Sequence, residues 1–159
     1  MPEWPEPVER VAAVLRAAAV DARIEEFSEG AATARDAARL IGCELSQIVK
    51  SLVFVCDGAF VLALVPGDQR ASEAAIARAT GAGDVRVATA DEVMFATGFA
   101  PGGVAPFPAR AVTRTLIDTS FVQHQVVWMG AGTSEYMAAI SPHELQRLTN
   151  AAAVDLVGS

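Results

Sequence analysis

Ser46-Gln47-Ile48-Val49-Lys50-Ser51-Leu52-Val53-Phe54-Val55-Cys56 reads as one strand. Strand alternation puts Ile48, Lys50, Leu52 and Phe54 on one face and Val49, Ser51, Val53 and Val55 on the other. Both faces are mostly apolar, so both are expected to be covered. Asp57-Gly58 follows at once and is a strong hairpin signal, pairing Val49–Cys56 antiparallel with Phe60–Val65. Hairpins of this kind argue for a mixed or antiparallel central sheet rather than a Rossmann-like one.

Lys50 is the only lysine of the chain; the other eleven basic residues are arginine. An ammonium on such a strand needs a partner, or a ligand that it meets in a cleft. It either snorkels, with its stem on apolar surface and its head in water, or it aims a compact cation at an anionic or carbonyl-bearing ligand. The strand alone leaves both readings open.

Upstream, Val8, Val11, Ala12, Leu15, Ala18 and Ala19 recur at helical spacing and predict a helix over Pro5–Val20. A short strand over Arg23–Phe27 follows, then a helix capped by Thr33, with Asp36 at its third position and Gly42 at its end. Downstream, Ser72 caps a helix to Thr80, and Val85–Ala88 is a short strand. Thr89-Ala90-Asp91-Glu92 is a capping box opening a helix to about Thr97. Ala111–Ile117, Val126–Met129 and Tyr136–Ile140 read as strands. Ser141-Pro142-His143-Glu144 opens the last helix, and Ala152–Leu156 is an edge strand. The order α-β-α-β-β-α-β-α-loop-β-β-β-α-β describes a single α/β domain over 1–159. Its central sheet is mixed, mostly antiparallel and partly barrel-like, with helices packed outside.

Composition narrows the function. No run of about 18 apolar residues exists, so no membrane span is expected. Met1-Pro2-Glu3-Trp4-Pro5-Glu6 lacks the basic and apolar regions of a signal peptide, and a cytoplasmic protein is expected. The net charge of −7 argues against gripping long nucleic acid, DNA included, but not against holding the end of an RNA. Two cysteines, Cys43 and Cys56, lack metal-ligand spacing, and His124 and His143 are too few for a His-based metal site. No Ser/His/Asp order, Cys/His pair or paired carboxylate stands out, so a side-chain nucleophile is poorly supported.

Gly98-Phe99-Ala100-Pro101-Gly102-Gly103-Val104-Ala105-Pro106-Phe107-Pro108 is the second notable stretch. Mixed Gly and Pro without polar residues suggest a stiff loop that presents backbone groups. It is neither a P-loop nor a dinucleotide fingerprint. Gly130-Ala131-Gly132 is a tight turn between strands, and Asp118 closes a strand before Thr119-Ser120, as an Asx-turn would.

These stretches together resemble the YbaK family of aminoacyl-tRNA deacylases, also found as the editing domain of bacterial prolyl-tRNA synthetases. The likeness runs in order through the helix Thr33–Ile41 leading into Gln47-Ile48-Val49-Lys50-Ser51-Leu52, then Gly98–Pro106, Thr115-Leu116-Ile117-Asp118 and Gly130-Ala131-Gly132, then Ile140–Leu145. It implies hydrolysis of the ester joining a wrong amino acid to the tRNA 3′ end, with no metal or organic cofactor. It implies catalytic roles for Lys50, which holds the terminal nucleotide or orients the ester, and for Gly102. Phe27, Ser51, Gly103, Pro106, Asp118 and Gly132 are its substrate-binding candidates. The implied partners are the aminoacyl-tRNA 3′ end and prolyl-tRNA synthetase. Ala105 stands where some Cys-tRNA deacylases carry Ser, and Met137 where they carry an acidic residue, with Glu135 nearby. Ser51 stands where Ala-tRNA deacylases tend to carry Asn. The amino acid removed therefore stays open between Cys, Ala and similar small residues. A non-catalytic tRNA- or synthetase-binding module of the same fold is the alternative.

Overall fold

The computed structural model describes residues 4–31 and 33–157; Met1–Glu3, the start of the N-terminal stretch read above, lie outside them. The elements are α1 (Glu6–Ala17), β1 (Arg23–Glu26), α2 (Ala34–Ile41), β2 (Ile48–Cys56), β3 (Ala59–Pro66), α3 (Glu73–Thr80) and β4 (Val85–Val87). They continue with α4 (Ala90–Thr97), β5 (Arg114–Asp118), β6 (Val127–Gly130), β7 (Tyr136–Ile140), α5 (Pro142–Thr149) and β8 (Ala152–Val154). Two 3-10 turns, Leu45–Gln47 and Thr119–Gln123, have no counterpart in the sequence reading.

The hairpin forms with the expected turn. Val49 pairs with Pro66 and Cys56 with Ala59, leaving Asp57 and Gly58 at φ 49° and 85°. Two positive φ angles in a two-residue loop match the twist of the flanking strands. The sheet runs β1-β7-β6-β2-β3-β5-β8, and β4 also pairs with β2. Ladders β1/β7, β2/β3, β2/β4 and β6/β7 are antiparallel; β2/β6, β3/β5 and β5/β8 are parallel.

Both faces of the hairpin are covered. Val49, Val53, Leu62 and Leu64 join the main core with Val8, Val11 and Leu15 of α1 and Leu145 of α5. Phe54, Val61, Ala63 and Val65 pack on the other face with Ile76 of α3 and Leu156. A third cluster joins Ala37 and Ala38 of α2 to Ile48, Trp128 and Met137.

Where boundaries move, a specific hydrogen bond moves them. Helix α1 stops short of Val20 because Ala19 turns to φ 54° and Val20 N bonds Leu15 O at 3.0 Å. Gln47 leaves the strand because its side chain bonds Glu44 N and Val126 O, each at 3.0 Å. Strand β5 starts late because Thr113 N bonds Phe60 O at 2.9 Å and Ala111 N bonds Ala96 O at 2.6 Å. Strand β8 ends early because Leu156 N donates to the Asp118 carboxylate at 2.8 Å.

Candidate functional site

The sheet forks at β2, and the fork makes the site. One edge of β2 pairs with β3 along its length. The other edge pairs with β6 only at Ile48 and Val49 and with β4 only from Phe54 to Cys56. Val53 O accepts from Ala88 N at 3.0 Å. Lys50, Ser51 and Leu52 thus face a gap with no ladder partner among the described residues. A cavity of about 370 Å³ opens there. Ala31, Thr33, Ala34 and Ala37 line it from the α2 segment, Gly102 and Val104 from the Gly/Pro loop, and Gly130 and Met137 from β6 and β7.

Local chemistry holds the α2 segment. Thr33 accepts a hydrogen bond from Asp36 N at 3.1 Å, and Gly42 ends α2 in the left-handed region at φ 82°. Ala34 and Ala37 are one turn apart on one helix face. Their small side chains leave the cavity room.

Among the described residues, Lys50 is the only charged one lining this cavity. It is half-buried, and its Nζ donates to the Gln69 carbonyl. Burial pushes its pKa below the ordinary lysine value; the nearby charge of Arg70 pushes the same way, and Asp68 opposes. Beside it, the Ser51 hydroxyl is buried with no hydrogen-bond partner. Such groups are rare in native proteins because each forfeits its hydration.

The Gly/Pro loop is stiff, as its composition suggested. Gly98 ends α4 at φ 82°, and Arg10 Nη2 donates to its carbonyl at 2.8 Å. The Arg10 guanidinium also sits 4.7 Å from the Phe99 ring centre. Phe99, Ala105 and Phe107 are buried in the main core. At Gly103 a Cβ would lie 2.7 Å from Thr133 Cα, so only glycine lets the two loops meet. Gly102, at φ 90°, turns its backbone to open space.

The predicted site residues separate into two groups. Lys50, Ser51 and Gly102 share the cavity. Phe27 stacks edge-on against Trp128 with ring centres 6.4 Å apart. Gly103 and Gly132 are packing contacts, Gly132 lying against the Pro7 backbone. Pro106 faces a different hollow of about 550 Å³ that Arg114 also lines. Asp118 is buried and accepts from Ser120 N at 3.1 Å and Leu156 N at 2.8 Å. Ala105 points into the core, Met137 lines the cavity and Glu135 is exposed. His124 and His143 line a third hollow of about 350 Å³. The sequence reading placed Val104 in the binding loop and α2 in the family likeness, but it missed α2 as a cavity wall and missed the Gln69 carbonyl. Small residues at helical spacing were the available signal for the wall, and they read equally well as core.

Fold and site together describe a mixed α/β domain with a cleft lined by one cation and by residues of a Gly/Pro loop. The profile of the aminoacyl-tRNA editing domain matches residues 28–148. The uncharacterized protein YwhH of Bacillus subtilis (strain 168) is 30% identical over 126 residues, which span 79% of this chain and 80% of that one. The proline–tRNA ligase of Xanthomonas axonopodis pv. citri (strain 306) is 31% identical over 119 residues, 75% of this chain but only 21% of the ligase. A crystal structure described as a candidate trans-editing enzyme for prolyl tRNA synthetase superposes with a TM-score of 0.90 at 32% identity, covering 99% of this chain and 100% of that one. The chain belongs to the aminoacyl-tRNA editing domain family. No helix among its described residues is long and apolar enough to cross a membrane.

Proposed function

We propose that this protein is a free-standing, cytoplasmic editing hydrolase that cleaves the ester of mischarged tRNA, with tRNA(Pro) carrying Cys, Ala or a similar small amino acid as the substrate. One observation carries this reading beyond family membership. In a chain of this family, the single lysine lines the same cavity as Gly102 and Val104, beside the gap in the β2 ladder.

Among the described residues the lining offers no carboxylate, imidazole or thiol as a base. The reaction therefore runs on positioning and on preorganised donors at the developing oxyanion. Lys50 orients the ester through its ammonium. Gly102 and its neighbours receive the acyl group through backbone atoms and place the attacking water or the tRNA's own hydroxyl. The unpartnered Ser51 hydroxyl bonds a polar group of the bound aminoacyl-adenosine. Ala31, Ala34 and Ala37 leave room for a small side chain, and no carboxylate in the cavity pairs with a basic one. Phe27 packs in the cluster behind the α2 wall and Gly103 holds the loop beside Gly102, while Pro106 and Asp118 line other hollows.

The test is a deacylation panel of tRNA(Pro) charged with Ala, Cys, Ser or Thr, read against spontaneous hydrolysis. At least one ester should be cleaved, and Lys50→Ala should lose about 100-fold or more while keeping its melting temperature within a few degrees. Hydrolysis of none, with the tRNA still bound, would instead support a non-catalytic binding module.

A further inference from the structure

After β3 the chain Pro66-Gly67-Asp68-Gln69-Arg70 folds back over the start of β2. Gly67 N donates to Ile48 O at 2.9 Å, and Gln69 N to Pro66 O at 3.1 Å. The turn is thereby seated on the strand that carries Lys50, and Gln69 accepts from the Lys50 ammonium. Arg70, the next residue, is exposed, and its positive charge acts on Lys50.

Arg70 disfavours the charge on Lys50, and Asp68 of the same turn offsets part of that effect. Like charges side by side repel. Six arginines, Arg10, Arg16, Arg23, Arg39, Arg86 and Arg147, pair with carboxylates of the chain. Among the described residues neither Lys50 nor Arg70 has such a pair, although the protein carries nineteen acidic residues. Two cations without an ion pair, one lining the cavity and the other on the turn seated beside it, make a site for an anion.

We propose that Arg70 is a phosphate-binding residue of this cleft. It takes the phosphate on the 5′ side of the terminal adenosine while Lys50 meets the ester on the same ribose. The inference rests on reading the Lys50 cavity as the editing site. The chemistry of the substrate links the two contacts. The ester occupies a 2′ or 3′ oxygen, and the phosphate hangs from C5′ of the same sugar. With the acyl group inside the cavity, the phosphate lies outside, at the rim. A guanidinium suits that position because its planar fork binds phosphate oxygens in pairs.

The experiment compares wild type, Arg70→Ala and Arg70→Lys on tRNA(Pro) charged with whichever of Ala, Cys, Ser or Thr the wild type cleaves fastest. Circular dichroism melts verify folding. Arg70→Ala should raise KM on the order of tenfold, with Arg70→Lys in between. The slope of log(kcat/KM) against log[salt] should become shallower by about 0.7, the contribution of one single-strand phosphate. On the matching 3′-aminoacyl-adenosine, which lacks the phosphate, the wild-type to Arg70→Ala ratio should fall to near unity. An active wild type with an unchanged KM and salt slope in Arg70→Ala would overturn the assignment and leave the editing reading standing. A penalty of equal size on the phosphate-free ester would also overturn it. A wild type that cleaves no ester would overturn the editing reading and this assignment with it.

Discussion

At Lys50, which lines the cavity, one of three N–H donors is engaged by Gln69. Its pKa is lowered first by burial and then by Arg70. The sign of the linkage follows. Between the lowered folded value and the ordinary 10.5, the unfolded chain binds more protons than the folded one, so stability from this group rises with pH through that window. At neutral pH the charged lysine costs stability. Lys50→Met, which keeps the stem and removes the charge, should therefore melt no lower than the parent at pH 7 while losing activity; a clearly lower melt in calorimetry would refute this. Activity should fall as pH rises through the lowered pKa, below 10.5, after subtraction of spontaneous ester hydrolysis. Alternation alone identified the half-buried face of this residue. It could not choose between snorkelling and ligand binding, because that choice depends on Gly102 and Arg70, which reach Lys50 only through tertiary structure.

Helices and turns are held by chemistry within a few residues, and these were the most legible parts. Thr33, Ser72, Thr89 and Ser141 each accept the expected backbone N–H three residues on. Glu92 completes its capping box and is also gripped by Arg86 at 2.8 Å through both oxygens, which holds its pKa down to about 2. The loop-to-loop contact at Gly103 belongs to the same scale and has a sharp consequence. A methyl there meets the Thr133 backbone, which cannot swing away as a side chain could. Gly103→Ala should cost about 1–3 kcal/mol, lower the melting temperature by about 2–4 °C per kcal/mol, and reduce kcat by moving Gly102. A variant with unchanged melt and unchanged kcat would refute the rigid-loop account. The parallel ladders β2/β6, β3/β5 and β5/β8 were not legible. Each joins strands separated by a long crossover, and no local residue pattern names the neighbour. The fork in β2 was hidden for the same reason, and with it the position of the cavity.

Over the whole molecule, charge placement limits how an acidic protein meets RNA. Six of its arginines are neutralised by neighbouring carboxylates, and the chain carries −7. Long-range attraction to a polyanion is therefore repulsive on balance, and binding must come from a few contacts at the cleft. This predicts a footprint confined to the acceptor end. For one phosphate contact, at Arg70, log K for tRNA should fall with log[salt] at a slope of about −0.7, the contribution of a single-strand phosphate. The measurement is fluorescence anisotropy with end-labelled tRNA(Pro) across a salt series. A short hairpin carrying only the acceptor stem and CCA end should bind as tightly as the whole tRNA, within a few-fold. A slope steeper than about −3, or a large loss on trimming the RNA, would mean that the unpaired arginines away from the cleft, such as Arg78, Arg110 and Arg114, form a second RNA surface. The charge arrangement would then be read as a broad electrostatic track rather than a single clamp.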